Sequence, residues 1–146
     1  MSKANSWENA LVLLLFNNTN AANIGDATGL RGSTAAGSLY VSLHTADPGE
    51  TGTQSTSETS YGSYARIAVA RSAGGWTVTN NSAANTAAVT FAQCSSGTPT
   101  LTFFGIGTDV SGAGTLLYSG ALTSSLAVST GITPSFAIGA LTVTED

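Results

Sequence analysis

Residues 38–50 read Ser38-Leu39-Tyr40-Val41-Ser42-Leu43-His44-Thr45-Ala46-Asp47-Pro48-Gly49-Glu50. As far as His44 the side chains alternate: Leu39, Val41 and Leu43 fall on one side, Tyr40, Ser42 and His44 on the other. A period of two marks a half-buried strand, and no helix satisfies it. Asp47-Pro48-Gly49 then supplies a turn, because Pro fixes φ at its second position and Gly accepts a positive φ. The pattern repeats outward. Tyr64–Arg71 sets Ala65, Ile67 and Val69 against Tyr64, Arg66, Ala68 and Ala70. Further strands are expected at Trp76–Thr79, Ala87–Ala92, Thr98–Ile106, Thr115–Ser119, Leu122–Ser129, Thr133–Ile138 and Ala140–Thr144. They are short, bear Thr and aromatic residues, and are separated by Gly, Asn, Ser or Pro. No run after residue 20 has helical period and helical length together, which excludes a parallel βαβ sheet. Strands recurring at roughly ten-residue spacing leave a sandwich, a jelly roll or a small barrel.

Upstream, one short helix is expected. Ser6 is the expected N-cap, and Glu8 sits in the first turn, where the helix dipole favours an acid. Trp7, Leu11, Leu14 and Leu15 share one face, while Val12, Leu13 and Phe16 fill the other. A helix apolar nearly all round must be covered on more than one side. Asn17-Asn18-Thr19-Asn20 stops it, and residues 17–37 read as a loop or extended arm. The apolar run Ala10–Phe16 follows an acid rather than a basic region, so no secretory leader is expected. It is also far short of the ~20 residues that cross a bilayer. The whole chain, 1–146, is expected to be one domain, with helix and arm in 1–37 and a β-sandwich in 38–146.

Composition narrows the function. Only 8% of the 146 residues are charged, four basic against eight acidic, for a net charge of −4. Globular domains carry roughly 25%, so this surface is neutral and polar, drawn from 19 Ser and 22 Thr. Four basic residues give no footprint for nucleic acid and no basic face for an anionic membrane. One His and one Cys make a structural zinc cluster or a disulfide scaffold arithmetically impossible. Cys94 is expected to be a small buried hydrophobe.

No catalytic constellation stands out. A Ser–His–Asp triad would need His44, with Asp47 three residues on, but no strand–Gly-x-Ser-x-Gly–helix elbow exists to present a nucleophile. His44 is therefore expected to be structural or on the surface. Asp26, Asp47, Glu50, Glu58 and Asp109 read as solvated loop acids, with neither the aromatic neighbours of a glycosidase nor a calcium loop among them. Gly105-Ile106-Gly107 lacks the spacing of a phosphate loop and reads as a glycine-rich hairpin connection. Asn17-Asn18-Thr19 and Asn80-Asn81-Ser82 match glycosylation acceptors, which have no meaning without a secretory route. Arg66 and Arg71 lie five apart on one expected strand, hence on opposite faces, and are expected to be solvated unless one meets an acid or a carbonyl. The polar stretch Thr45–Gly62 has no hydrophobic period and is the first place to look for a partner contact. No cofactor and no metal are expected.

Several segments go beyond composition. Glu8-Asn9-Ala10-Leu11, the run Leu39 to Glu50, Tyr64-Ala65-Arg66, Phe103-Phe104-Gly105-Ile106, Leu117 to Leu122, and Thr133-Pro134-Ser135-Phe136 to Thr144 resemble, in the same order, a family of small tailed-phage virion proteins. Members loosely labelled as tail-fibre proteins include some that look like capsid cement (decoration) proteins of short-tailed phages. The resemblance implies an all-β, jelly-roll-like antiparallel sandwich with a short N-terminal helix. It further implies a non-enzymatic homodimer that binds the major capsid protein on the outer face of the shell and stabilises the head. The other reading is a tail fibre or baseplate component that binds a host receptor. Candidate contact residues are Trp7, Leu11, Leu14, Leu15 and Phe16 on the helix and Asp47 and Glu50 in the long loop.

Overall fold

A computed structural model of the chain describes residues 2–145. The alternating stretch forms strand β1 (Ser38–His44), and eight more strands follow: β2 (Ile67–Ala70), β3 (Trp76–Thr79), β4 (Ser82–Asn85), β5 (Val89–Thr90), β6 (Thr100–Gly107), β7 (Leu116–Ala127), β8 (Ser135–Phe136) and β9 (Thr142–Thr144). They form sheets of order β2-β1-β6-β7, β3-β4-β9 and β5-β8. The β1–β6, β6–β7, β3–β4 and β4–β9 pairings are antiparallel. The fold is all-β with one short N-terminal helix, α1 (Asn5–Asn17).

The chain divides into two compact units. One comprises Met1–Ser38, Val69–Val89 and Phe136–Asp146, the other Leu39–Ala68 and Thr90–Ser135. In the first, α1 packs on β3 and β4. Val12, Phe16, Trp76, Ala83 and Leu141 are its buried centre, and Phe16 meets Trp76 edge to face at 4.9 Å. The helix ends as the asparagines require: Asn18 adopts φ 56°, and the Thr19 amide donates to the Leu13 carbonyl at 3.1 Å. Arg71 secures the same end, with Nε donating to Leu15 O at 2.7 Å and an η-nitrogen to Leu14 O at 2.9 Å. A guanidinium there satisfies orphan carbonyls and opposes the negative end of the helix dipole.

The second unit is built on β1 and β6. Leu39, Val41, Leu43, Leu101 and Ile106 are buried, as the alternation requires. Ser42 and His44, on the opposite face, are equally buried, so β1 is covered on both sides at its end. Cross-strand pairing sets Phe104 against Gly120 of β7, where a Cβ would lie 2.8 Å from the Phe104 ring. The bare glycine lets the aromatic ring lie across the neighbouring strand.

Several expectations need correction. The N-cap is Ala4 rather than Ser6, and no side chain caps the helix. Tyr64–Arg71 shrinks to Ile67–Ala70, because the side chains of Tyr64 and Arg66 are drawn into polar bonds described below. Thr115–Ser119 and Leu122–Ser129 are one strand, β7, whose register slips opposite the Leu101–Phe103 stretch. Ala87–Ala92 and Thr133–Ile138 keep only two-residue strands, and irregular bonds such as Cys94 N to Ile132 O at 2.8 Å continue the association. Ala140–Thr144 is reduced to β9. Gly105-Ile106-Gly107 is strand rather than a hairpin connection. Residues 17–37 do not extend as an arm, since Ala21 and Leu30 exchange both backbone bonds at 2.9 Å and fold the segment on itself.

Candidate functional site

Residues 45–62 leave β1 and return to its end. The Thr45 amide donates to Ser57 O and the Thr59 amide to Leu43 O, each at 2.9 Å. Inside this closure the loop drops Gln54 into the unit, fully buried. The Gln54 backbone N–H donates to Ala113 O at 2.8 Å, and its side-chain Oε1 accepts from the Asp109 backbone N–H at 2.9 Å. Gly107 makes the space, because a Cβ there would run into the Gln54 side chain. The middle of the loop is thus plugged into the sheet at Gln54, while Asp47 and Glu50 nearer its start stay exposed.

His44 is wholly buried beside it. Its Nδ1 lies 2.8 Å from Thr56 O and its Nε2 2.8 Å from Ser42 Oγ. A carbonyl only accepts, so Nδ1 carries the proton and the Ser42 hydroxyl donates to Nε2. Burial holds the pKa of His44 below its ordinary value and keeps the ring neutral. A serine bonded to a histidine is the beginning of a nucleophile–base pair, yet neither residue is exposed. A Cβ at Gly105 would lie only 2.6 Å from Ser42 Oγ and 2.7 Å from His44 Nε2, so the space over the pair is filled. Asp47 does not complete a triad: it is exposed, and its Oδ1 accepts from the Gly49 amide at 2.9 Å. The histidine holds the loop down.

A second anchor is ionic. Arg66 grips Glu58 with both ends of its fork, Nε to Oε1 and an η-nitrogen to Oε2, each at 2.7 Å. Its remaining donors reach Asp109 O at 2.8 Å and Gly112 O at 2.7 Å. The Tyr64 hydroxyl donates to Glu58 Oε1 at 2.8 Å and accepts from the Leu43 amide at 3.1 Å. The Arg66 side chain is 2% exposed and that of Glu58 15%, so charge, burial and geometry support one another. The Glu58 hydrogen bond raises the pKa of Arg66, while burial and then the neighbouring carboxylate push the Tyr64 phenol well above its ordinary value. Neither Arg66 nor Arg71 is solvated, and Glu58 is no free loop acid. Sequence reading missed this cluster because its members sit eight residues apart across a turn; Tyr64-Ala65-Arg66 was its only trace.

The contact residues expected from sequence fall in both units. Trp7, Leu11, Leu14 and Leu15 are half-buried, whereas Phe16 is wholly interior and is core. Asp47 and Glu50 are exposed and border a groove of about 340 Å³ with Leu117 and Tyr118 of β7. Strand β7 is the outer edge of its sheet and carries no charge and no proline. Among the described residues no three His, Cys, Asp or Glu side chains gather to hold a metal ion, and no helix is long and apolar enough to cross a membrane.

Fold and site together define a small β-rich protein whose buried polar groups secure its own loops, with a neutral surface left to meet other molecules. Over residues 2–144 the chain matches the family described as podophage GP4 fiber I protein gp80, and it belongs to that family. It is thus a structural protein of the short-tailed phage virion. No curated protein matches it.

Proposed function

We propose that the chain is a component of the tail fibre of a short-tailed phage and works by docking, without making or breaking covalent bonds. The observation that carries this reading is the match of nearly the whole chain to a fibre family. The surface supports it. Docking through β7, the half-buried face Trp7, Leu11, Leu14 and Leu15, and the groove at Asp47 and Glu50 would desolvate few charges. An edge strand without Lys or Pro is undefended against pairing, which suits a subunit meant to be covered in an assembly.

A second reading is favoured by the Leu39–Glu50 segment, which resembles capsid cement proteins. On that reading the partner is the major capsid protein, the unit is a homodimer on the capsid exterior, and modest contacts repeated over a shell stabilise the head. Gold-labelled antibody against this chain, applied to intact virions, separates the two. Label at the tail is the expected result. Label spread over the head, with purified chain retained on shells lacking it, would replace the fibre reading by the cement one.

A further inference from the structure

The first turn of α1 and the turn joining β3 to β4 face each other within one unit, across a cleft of about 740 Å³. Every side chain on its wall is polar: Lys3, Asn5, Glu8, Asn9, Asn80 and Asn81, with two serines. Its size falls in the range of roughly 300–1,000 Å³ typical of small-molecule sites, although such sites are mostly apolar. Here the chemistry of the wall has to name the ligand.

The wall holds unused hydrogen-bonding capacity. Glu8 is only 6% exposed, yet its carboxylate accepts no hydrogen bond from the described residues. The side-chain amides of Asn5, Asn9 and Asn80 likewise make no bond to the described residues. Asn81 is partly committed, donating to Glu145 O at 2.6 Å. The Glu8 carboxylate borders the cleft with its acceptor sites open, and a ligand hydroxyl entering there would find two oxygens to donate to. Each free amide offers one acceptor and two donors side by side.

Charge removes the other ligand classes. Lys3 is already paired with Glu145 at 2.9 Å, and Glu8 repels anions, so phosphates and nucleotides are disfavoured despite the nearby helix N-terminus. One carboxylate is too few for a divalent cation. What fits is an uncharged molecule dense in both donors and acceptors. We propose that this cleft binds a neutral saccharide, its hydroxyls bridging Glu8 and Asn9 on the helix to Asn80 on the strand turn. Asn80 is held at φ 54° in a two-residue turn between paired strands, so its amide is presented from a rigid mount. The site is independent of whether the chain stands on tail or head, and its failure would leave that assignment untouched.

The test is a titration of isotope-labelled full-length chain, followed by backbone and Asn side-chain amide resonances. The probes are maltotriose, galactotriose and the N-acetylglucosamine trimer, with inorganic phosphate and calcium chloride in parallel. At least one sugar is expected to shift Asn5, Asn9, Asn80 and Asn81 saturably while leaving the amides around His44 in place. The double variant Asn9→Ala with Asn80→Gly, glycine keeping the positive φ of the turn, should bind that sugar at least tenfold more weakly with a melting temperature close to that of wild type. Glu8→Gln should weaken it less than the double variant, since an amide oxygen still accepts. No response to any sugar, the same shifts produced by phosphate or calcium, or undiminished binding by the double variant would overturn the assignment.

Discussion

Replacing Arg66 with methionine tests whether the ionic anchor holds the long loop. The substitution keeps much of the aliphatic stem and removes four hydrogen bonds: two to Glu58, one to Asp109 O and one to Gly112 O. Asp109 and Gly112 are exposed, so water replaces the lost donors there at little cost. Glu58 is different, because its side chain is 15% exposed and keeps only the Tyr64 hydroxyl. Breaking a buried pair from one side costs about 3–5 kcal/mol. The partial exposure of Glu58 places Arg66→Met at the lower end, about 3 kcal/mol, which lowers Tm by roughly 6–12 °C in a chain of this size. Thermal unfolding followed by circular dichroism reads the first quantity. Amide exchange at Thr45 and Thr59, whose bonds close the loop on β1, reads where the loss falls. Adding Glu58→Met to Arg66→Met should recover about 1–2 kcal/mol, because the orphaned charge is gone. A Tm within about 2 °C of wild type for Arg66→Met, or a double variant less stable than the single one, would refute the reasoning.

Two further outcomes follow from the same unit. Gly105→Ala forces a methyl group to within 2.6 Å of Ser42 Oγ and 2.7 Å of His44 Nε2. Overpacking of that kind costs about 1–3 kcal/mol, with ~1 kcal/mol more if the Ser42–His44 bond is lost, read as a lower urea midpoint at unchanged slope. Because burial lowers the pKa of folded His44 from 6.5, the unfolded chain binds its proton more readily. Stability should therefore be full above about pH 6.5 and fall as the pH drops below it, by up to ~1.4 kcal/mol per unit, and His44→Asn should flatten that part of a Tm–pH profile.

What could be read from the residues follows from how local each signal is. Strand β1 was legible because Leu39, Val41 and Leu43 alternate with unlike neighbours, and the helix because Trp7, Leu11, Leu14 and Leu15 recur at spacings of three and four, although the side it buries is that of Val12 and Phe16. Strand β4 was not, since Ser82-Ala83-Ala84-Asn85 has no β-branched or aromatic side chain. Its one signal was the two-residue Asn80-Asn81 turn directly after Trp76–Thr79. The glycines at 105 and 107 looked like turn residues because what they accommodate, His44 and Gln54, arrives from more than 50 residues away. The same distance hid the second half of the polar cleft. Asn5, Glu8 and Asn9 lie within one helical turn of each other, but only the β3–β4 turn brings Asn80 opposite them.

The unit that contains α1 is assembled from three separate lengths of chain, and this governs its birth on the ribosome. Strand β4 stays an open edge until β9 is made, more than a hundred residues after the helix. At ~5–20 residues per second the sheet beneath the greasy helix waits several seconds for its last strand. A chain cut short before Leu141, and so before β9, would leave β4 unpaired along one side and the unit without the buried side chains of Leu141 and Val143.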